Sequence, residues 1–257
     1  MHDIAFDAIH DEIVVTSPLA QGILSFRGAA SGEEAPLRII QGDKTQLRAE
    51  VRKPTGADVY EGAGATAKVT VDAIHNEIFF ASPDQDILVF DRLANGNVAP
   101  KRVLGGKDTQ MALSDQTPIR VDPIHNLLIV PSGRFGGGKI LVFDRTASGD
   151  TPPKAVIKGP VRMGEQFEIY PPKLRLITHA GNNIEIWKIP ENGESDEPPL
   201  KIAAPLGRQS ADIGIVLDPL HKEVIIATAA GNSIMTFFVP EVFDDAPAGT
   251  QVTSASQ

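Results

Sequence analysis

Four of the six histidines, His10, His75, His125 and His221, occupy one position of a recurring phrase. Each follows an aspartate by three residues: Asp7, Asp72, Asp122 and Asp218. Imidazoles at one level of a repeated structure could form a ring of nitrogen ligands for zinc or copper, and the aspartates could offer oxygen to calcium. The plainer reading is that of turn chemistry, because Asp and Asn side chains bond nearby backbone amides and every repeat would reuse them for the same local purpose. Repetition favours the plainer reading, since a site usually breaks the symmetry. The fourth copy has Lys173 where the others have histidine, which interrupts the ring without adding a ligand. No calcium loop of the EF-hand or RTX kind is present. The expectation is a chain without metal or other cofactor, the four histidines being its metal candidates.

Residues that break the repeat are the better candidates for a ligand site. At the middle of the first strand of each copy stand Ala5, Thr70, Arg120, Glu168 and Val216. Arg120 and Glu168 would lie at equivalent height in neighbouring units, either as a polar site lining a channel or as an ion pair between units, since an unpaired charge there is costly. The ion pair is preferred. Tyr170, His179 and Glu165 add polar groups to the fourth copy, yet no nucleophile, base and orienting acid can be placed together. The run Ser132-Gly133-Arg134-Phe135-Gly136-Gly137-Gly138-Lys139 lacks the spacing of a phosphate loop and joins two strands. It reads as a hairpin loop whose Arg134 and Phe135 could contact a partner.

These residues ride on five copies of one unit, beginning near residues 4, 69, 119, 167 and 215. Each unit divides into four short strands. An alternating strand (Val69-Thr70-Val71) leads into the Asp-x-x-His-Asn turn, and an apolar β-branched run follows (Ile78-Phe79-Phe80, or Leu127-Leu128-Ile129-Val130). The third strand ends on an aromatic: Phe26, Phe90, Phe143, Trp187 and Phe237. A proline then precedes a short charged fourth strand, as an outer edge should have: Pro36, Pro100, Pro153 and Pro247. In the fifth copy only Gln251-Val252-Thr253 could supply that strand. An insertion near residues 47–66 breaks the period between the first two copies. A period of about 50 residues with several strands per repeat predicts a β-propeller of four-stranded antiparallel blades. Five blades are visible, and a ring of six with one blade lost or unrecognised is the alternative. All 257 residues are read as one domain.

The unit, with its Asp-x-x-His-Asn-Glu-Ile turn and its Ile-x-Val-Phe third strand, resembles the NHL-type and YVTN-type propeller repeats over essentially the whole chain. The fourth copy departs from it at Tyr170-Pro171-Pro172-Lys173. The resemblance implies the fold; such propellers serve as ligand platforms, scaffolds and occasional lactonases or lyases, and no catalytic residue is carried over.

Net charge is −9 and there are no cysteines, which argues against nucleic acid as partner and excludes disulfides and thiol chemistry. No apolar run is long enough to span a membrane. Met1-His2-Asp3 leads straight into a strand, so no signal peptide is expected; the chain reads as cytoplasmic, or as extracellular or periplasmic if trimmed. The favoured function is non-catalytic: a binding or scaffold module presenting loops to a protein, glycan or small ligand. The alternatives are a metal-dependent lactonase or hydrolase at the channel mouth, and a structural subunit of a repeating assembly. With every blade cut from consecutive sequence, the first and last blades are expected to meet by side-chain packing alone, around Ile4, Phe6 and Ile234.

Overall fold

The computed structural model describes residues 3–17, 20–48, 68–82, 85–113, 118–133, 137–162, 166–204, 212–228 and 232–245. Within them lie five small sheets, the blades of a β-propeller. Blade 1 is β1 (Ile4–Asp7), β2 (Glu12–Ser17), β3 (Gly22–Arg27) and β4 (Arg38–Gln41). Blade 2 is β5 (Lys68–Asp72), β6 (Glu77–Ala81), β7 (Ile87–Asp91) and β8 (Arg102–Leu104). Blade 3 is β9 (Arg120–Asp122), β10 (Leu127–Ser132), β11 (Gly137–Asp144) and β12 (Ala155–Arg162). Blade 4 is β13 (Glu168–Tyr170), β14 (Arg175–Ala180), β15 (Asn183–Lys188) and β17 (Leu200–Ala203). Blade 5 shows β18 (Asp212–Asp218), β19 (Glu223–Thr228) and β20 (Ser233–Phe238), followed by one helical turn, α1 (Pro240–Phe243). Each blade is an antiparallel meander, as the alternating apolar pattern requires. The insertion from residue 49 onward and the expected strand at Gln251-Val252-Thr253 lie outside the described residues.

Successive side chains of a strand point to opposite faces, so each blade has two. One, here the front, packs on the next blade; the other, the back, packs on the previous one. The front of blade 1 (Val14, Ile23, Ile40) meets the back of blade 2 (Ile78, Phe80, Leu88, Phe90). The front of blade 2 (Phe79, Ile87, Val89) meets Leu128, Leu141 and Phe143 of blade 3. Ile129, Ile140 and Val142 meet Leu176 and Trp187, and Ile177, Ile184 and Ile186 meet Val224, Val239 and Phe243. The third-strand aromatics of blades 2 to 5 are thus interblade core: Phe90 is 0 % exposed and Phe143 1 %, while Phe26 lies on the open back of blade 1.

Backbone stitches accompany this packing. Gly96 donates its amide to Ile39 O (2.6 Å) and accepts from the Gln41 amide (3.2 Å), bonding blade 2 to the outer strand of blade 1. Gly149 does the same to Val103 (2.7 Å) and Gly105 (3.1 Å). The third stitch grows into a strand, β16 (Gly193–Ser195), which pairs parallel with β12 and makes blade 3 five-stranded. Blades are therefore not cut wholly from consecutive sequence, since β16 lies between two strands of blade 4. The stitch glycines have φ of 79°, 68° and 76°, a left-handed backbone that glycine adopts without penalty.

Among the described residues the expected seam packing around Ile4, Phe6 and Ile234 is not made. Inner strands pack in series, β1 on β5, β5 on β9, β9 on β13 and β13 on β18. Ile4 and Phe6 at one end remain 57 % and 60 % exposed, and Ile234 at the other 75 %, so neither terminal face covers the other. Phe90→Ala or Phe143→Ala should cost about 3–5 kcal/mol in urea-unfolding experiments, the usual result of emptying an aromatic site in a closed core. Phe26→Ala, on the open back of blade 1, should cost clearly less than either.

Candidate functional site

The Asp-x-x-His turns are built alike. In blade 2, Asp72 Oδ1 accepts the His75 amide (2.9 Å), and Asp72 Oδ2 lies 2.8 Å from His75 Nδ1. Blades 1 and 3 repeat the second contact at 2.8 Å and blade 5 at 2.7 Å. Each imidazole is held by its own aspartate within its own turn. The residue that closes the turn is left-handed in all five copies: Asp11, Asn76, Asn126, Leu174 and Lys222. Its carbonyl accepts the amide of the residue two past the third-strand aromatic: Gly28, Arg92, Arg145, Ile189 and Val239. This bond fixes the equivalence of these five positions.

At two of the interfaces that position carries an arginine, which reaches into the turn of the preceding blade. Arg92 donates to Asn76 Oδ1 (2.8 Å) in its own blade and to Glu12 (2.8 Å) in blade 1, 3.8 Å from Asp7. Arg145 donates to Asn126 Oδ1 (3.2 Å) and to Glu77 (2.6 Å), 3.4 Å from Asp72. The glutamate also takes the fourth-strand arginine of its own blade, Arg38 on Glu12 and Arg102 on Glu77 in a two-pronged pair of 2.7 and 2.8 Å. Burial would raise Glu77, but the hydrogen bonds from Arg102 and Lys101 more than reverse this and hold its carboxyl down at about 2.

Between blades 3 and 4 the clasp is replaced as a set. Leu127 stands for the glutamate, Ala155 for the fourth-strand arginine and Ile189 for the reaching arginine, and all three are buried in one apolar cluster. Exchanging every member together leaves no charge unpaired, whereas exchanging one would strand its partners. Between blades 4 and 5 the polarity is reversed. Arg175 stands at the glutamate position and donates to the carbonyls of Glu241 (2.5 Å) and Asp244 (2.8 Å), which fastens α1. Lys173, in place of the fourth histidine, pairs with Asp245 (2.5 Å).

The same triad recurs in blade 5 as Asp218, His221 and Glu223, with ligand-capable atoms within 4.8 Å of one another. Asp7, Asp72 and Asp122 have side chains 0 % exposed, whereas that of Asp218 is 32 % exposed. The hydrogen bond with Asp218 raises His221 above the usual histidine range, and the same bond lowers Asp218. Asp218 and Glu223 share a rung with Phe238, and Val216 and Ile225 share the next with Thr236. In blade 2 the corresponding rungs are Asp72, Glu77, Asp91 and Thr70, Phe79, Val89. The fifth front is open: Val216 is 58 % exposed and Phe238 70 %.

The residues singled out by breaking the repeat have other neighbours. Arg120 donates to Glu168 at 2.9 and 3.2 Å across blades 3 and 4 and lies 5.5 Å from the Phe167 ring centroid, an interblade ion pair with a cation–π contact. Tyr170 packs edge-on against Phe243 at 5.0 Å. His179 is buried on the second strand of blade 4. Arg134, Phe135 and Glu165 lie outside the described residues. Sequence reasoning passed over Glu12, Glu77, Glu223, Arg92 and Arg145, although the columns that hold them are visible in the repeat.

Solved structures similar to this chain share its fold at low identity. A chain of the mitotic checkpoint complex matches with a TM-score of 0.57 at 12 % identity, over 91 % of this chain and 60 % of its own length. A chain of Kuenenia stuttgartiensis hydrazine synthase matches with a TM-score of 0.55 at 12 % identity, over 88 % and 54 %. Kluyveromyces lactis Hsv2 matches with a TM-score of 0.52 at 11 % identity, over 92 % and 58 %. The chain thus spans between half and two thirds of the length of these proteins. No family model matches the chain, and no curated protein sequence is significantly similar to it.

In acid, stability should fall as pH drops through the window from about 4.5 to about 2, where a carboxyl bound to arginine in the fold takes up its proton more readily when unfolded. Glu77→Gln should cost about 3 kcal/mol near neutrality by stranding Arg102 and Arg145, and should flatten that acid limb in pH-dependent urea melts. His75→Asn should change stability by less than about 1 kcal/mol, because Asp72 still caps the turn.

Proposed function

We propose that this chain is a non-catalytic binding propeller that engages a protein partner through the open front of blade 5. The observation that carries the reading is the contiguous exposure of Val216, Ile234 and Phe238 on one sheet face, whose counterparts in blade 2, Thr70, Ile87 and Asp91, include a fully buried isoleucine. Exposed apolar patches of this kind mark interaction sites more often than chance, and a propeller is a rigid mount for one. The resemblance of the repeat to NHL and YVTN propellers, and the occurrence of one structural neighbour in a mitotic checkpoint complex, are in keeping with a platform role.

A second reading has one observation in its favour. Asp218, His221 and Glu223 could together hold a divalent ion, as a metal-dependent hydrolase at this end of the molecule would need. Calorimetric titration with zinc decides it, with micromolar binding abolished by His221→Asn as the supporting result.

The binding reading is tested by placing a photo-cross-linking residue at position 234 or at exposed, charge-paired position 158, in the chain's native cells. A discrete adduct from position 234, absent from 158 and lost with Phe238→Glu, is the expected result. Equal or no adducts from the two positions would overturn it.

A further inference from the structure

We infer that the partner seated on blade 5 is a further antiparallel β-sheet, carrying an apolar back face and an arginine that descends onto Asp218, His221 and Glu223. This rests on the binding reading above and adds the chemistry of what is bound. Asp7, His10 and Glu12 in blade 1 form the same triad as Asp218, His221 and Glu223, and receive Arg92 from the blade that covers them. Asp72, His75 and Glu77 receive Arg145 in the same way. In both cases the arginine stands two residues past an aromatic that is buried in the apolar contact beside it. Blade 5 offers the aspartate, histidine and glutamate of this receiving half, while a counterpart of the fourth-strand arginines Arg38 and Arg102 is not found among its described residues. Its triad has the same register, its rungs carry Val216, Ile225 and Ile234 beside the carboxylates, and its surface is uncovered.

Neither this chain's own first blade nor that of a second copy supplies the missing half. The arginine position in blade 1 is Gly28, which has no side chain to reach another blade. Its neighbour Arg27 is turned to Glu34, which it grips at 2.7 Å through two nitrogens. A blade-1 back face would therefore cover apolar surface and leave two carboxylates without a guanidinium. A sheet with an arginine at that place satisfies both, and a planar guanidinium suits the paired oxygens better than an ammonium does.

The test uses the whole chain with a second copy of residues 68–110, the blade that delivers Arg92, joined after Gln257. The tether makes docking intramolecular, and hydroxyl-radical labelling of Ile234 and Phe238 reads coverage of the face. We expect labelling of both residues to fall about tenfold against the parent chain, and most of that protection to be lost when the appended copy carries Arg92→Ala or the host carries Glu223→Gln. Unchanged labelling with the unaltered copy would overturn the inference. Protection that survives Arg92→Ala would also overturn it, while leaving the apolar docking surface standing. A parent chain that is dimeric by native mass spectrometry, with Phe238 already protected, would assign the face to a second copy. Micromolar zinc binding abolished by His221→Asn would assign the triad to a metal.

Discussion

Everything in this molecule depends on one contact made again and again: the front face of a blade closed by the aromatic back face of the next. A small antiparallel sheet buries too little surface to be stable alone, so a blade acquires its stability from its neighbours. Phe90, Phe143 and Trp187 fill the space between sheets, and the strands that carry Phe90 and Phe143 are apolar on both faces because both faces are covered. The same logic makes the terminal blades exceptional. Each has one face that no other part of the described chain covers, and each of those faces exposes large apolar side chains.

The ionic clasps are secondary in energy and primary in geometry. A buried pair of carboxylate and guanidinium often gains little over an apolar contact of the same shape, and Leu127, Ala155 and Ile189 stand in its place at the next interface. What the charged version adds is direction. A guanidinium with partners on two blades fixes their height and rotation relative to one another, which a smooth apolar contact does not. The open triad of blade 5 is then a directional receptor attached to an apolar patch, a combination suited to recognising one sheet among many.

Low identity to the structural neighbours accords with this picture. Blade packing demands apolar residues of about the right size at alternating positions and little else, so many sequences satisfy it. Turn residues with positive φ, stitch glycines and clasp partners are the more restrictive positions, and they are few per blade. At 11 or 12 % identity the shared architecture says nothing of shared activity.

The repeat alone indicated five four-stranded units, with a sixth blade left open, the strand order within a blade, the core role of Phe90 and Phe143 and the turn role of the Asp-x-x-His phrase. All of these follow from local periodicity and turn chemistry, which act within a few residues and recur in each copy. Tertiary structure decided what lies between blades. That Arg92 closes over Glu12, that β16 leaves its own blade to pair with β12, and that Ile4, Phe6 and Ile234 stay exposed instead of meeting are facts of relative placement. Local patterns carry no such information, because Glu12 and Glu223 sit in the same local phrase, yet among the described residues only Glu12 is met by an arginine of a following blade.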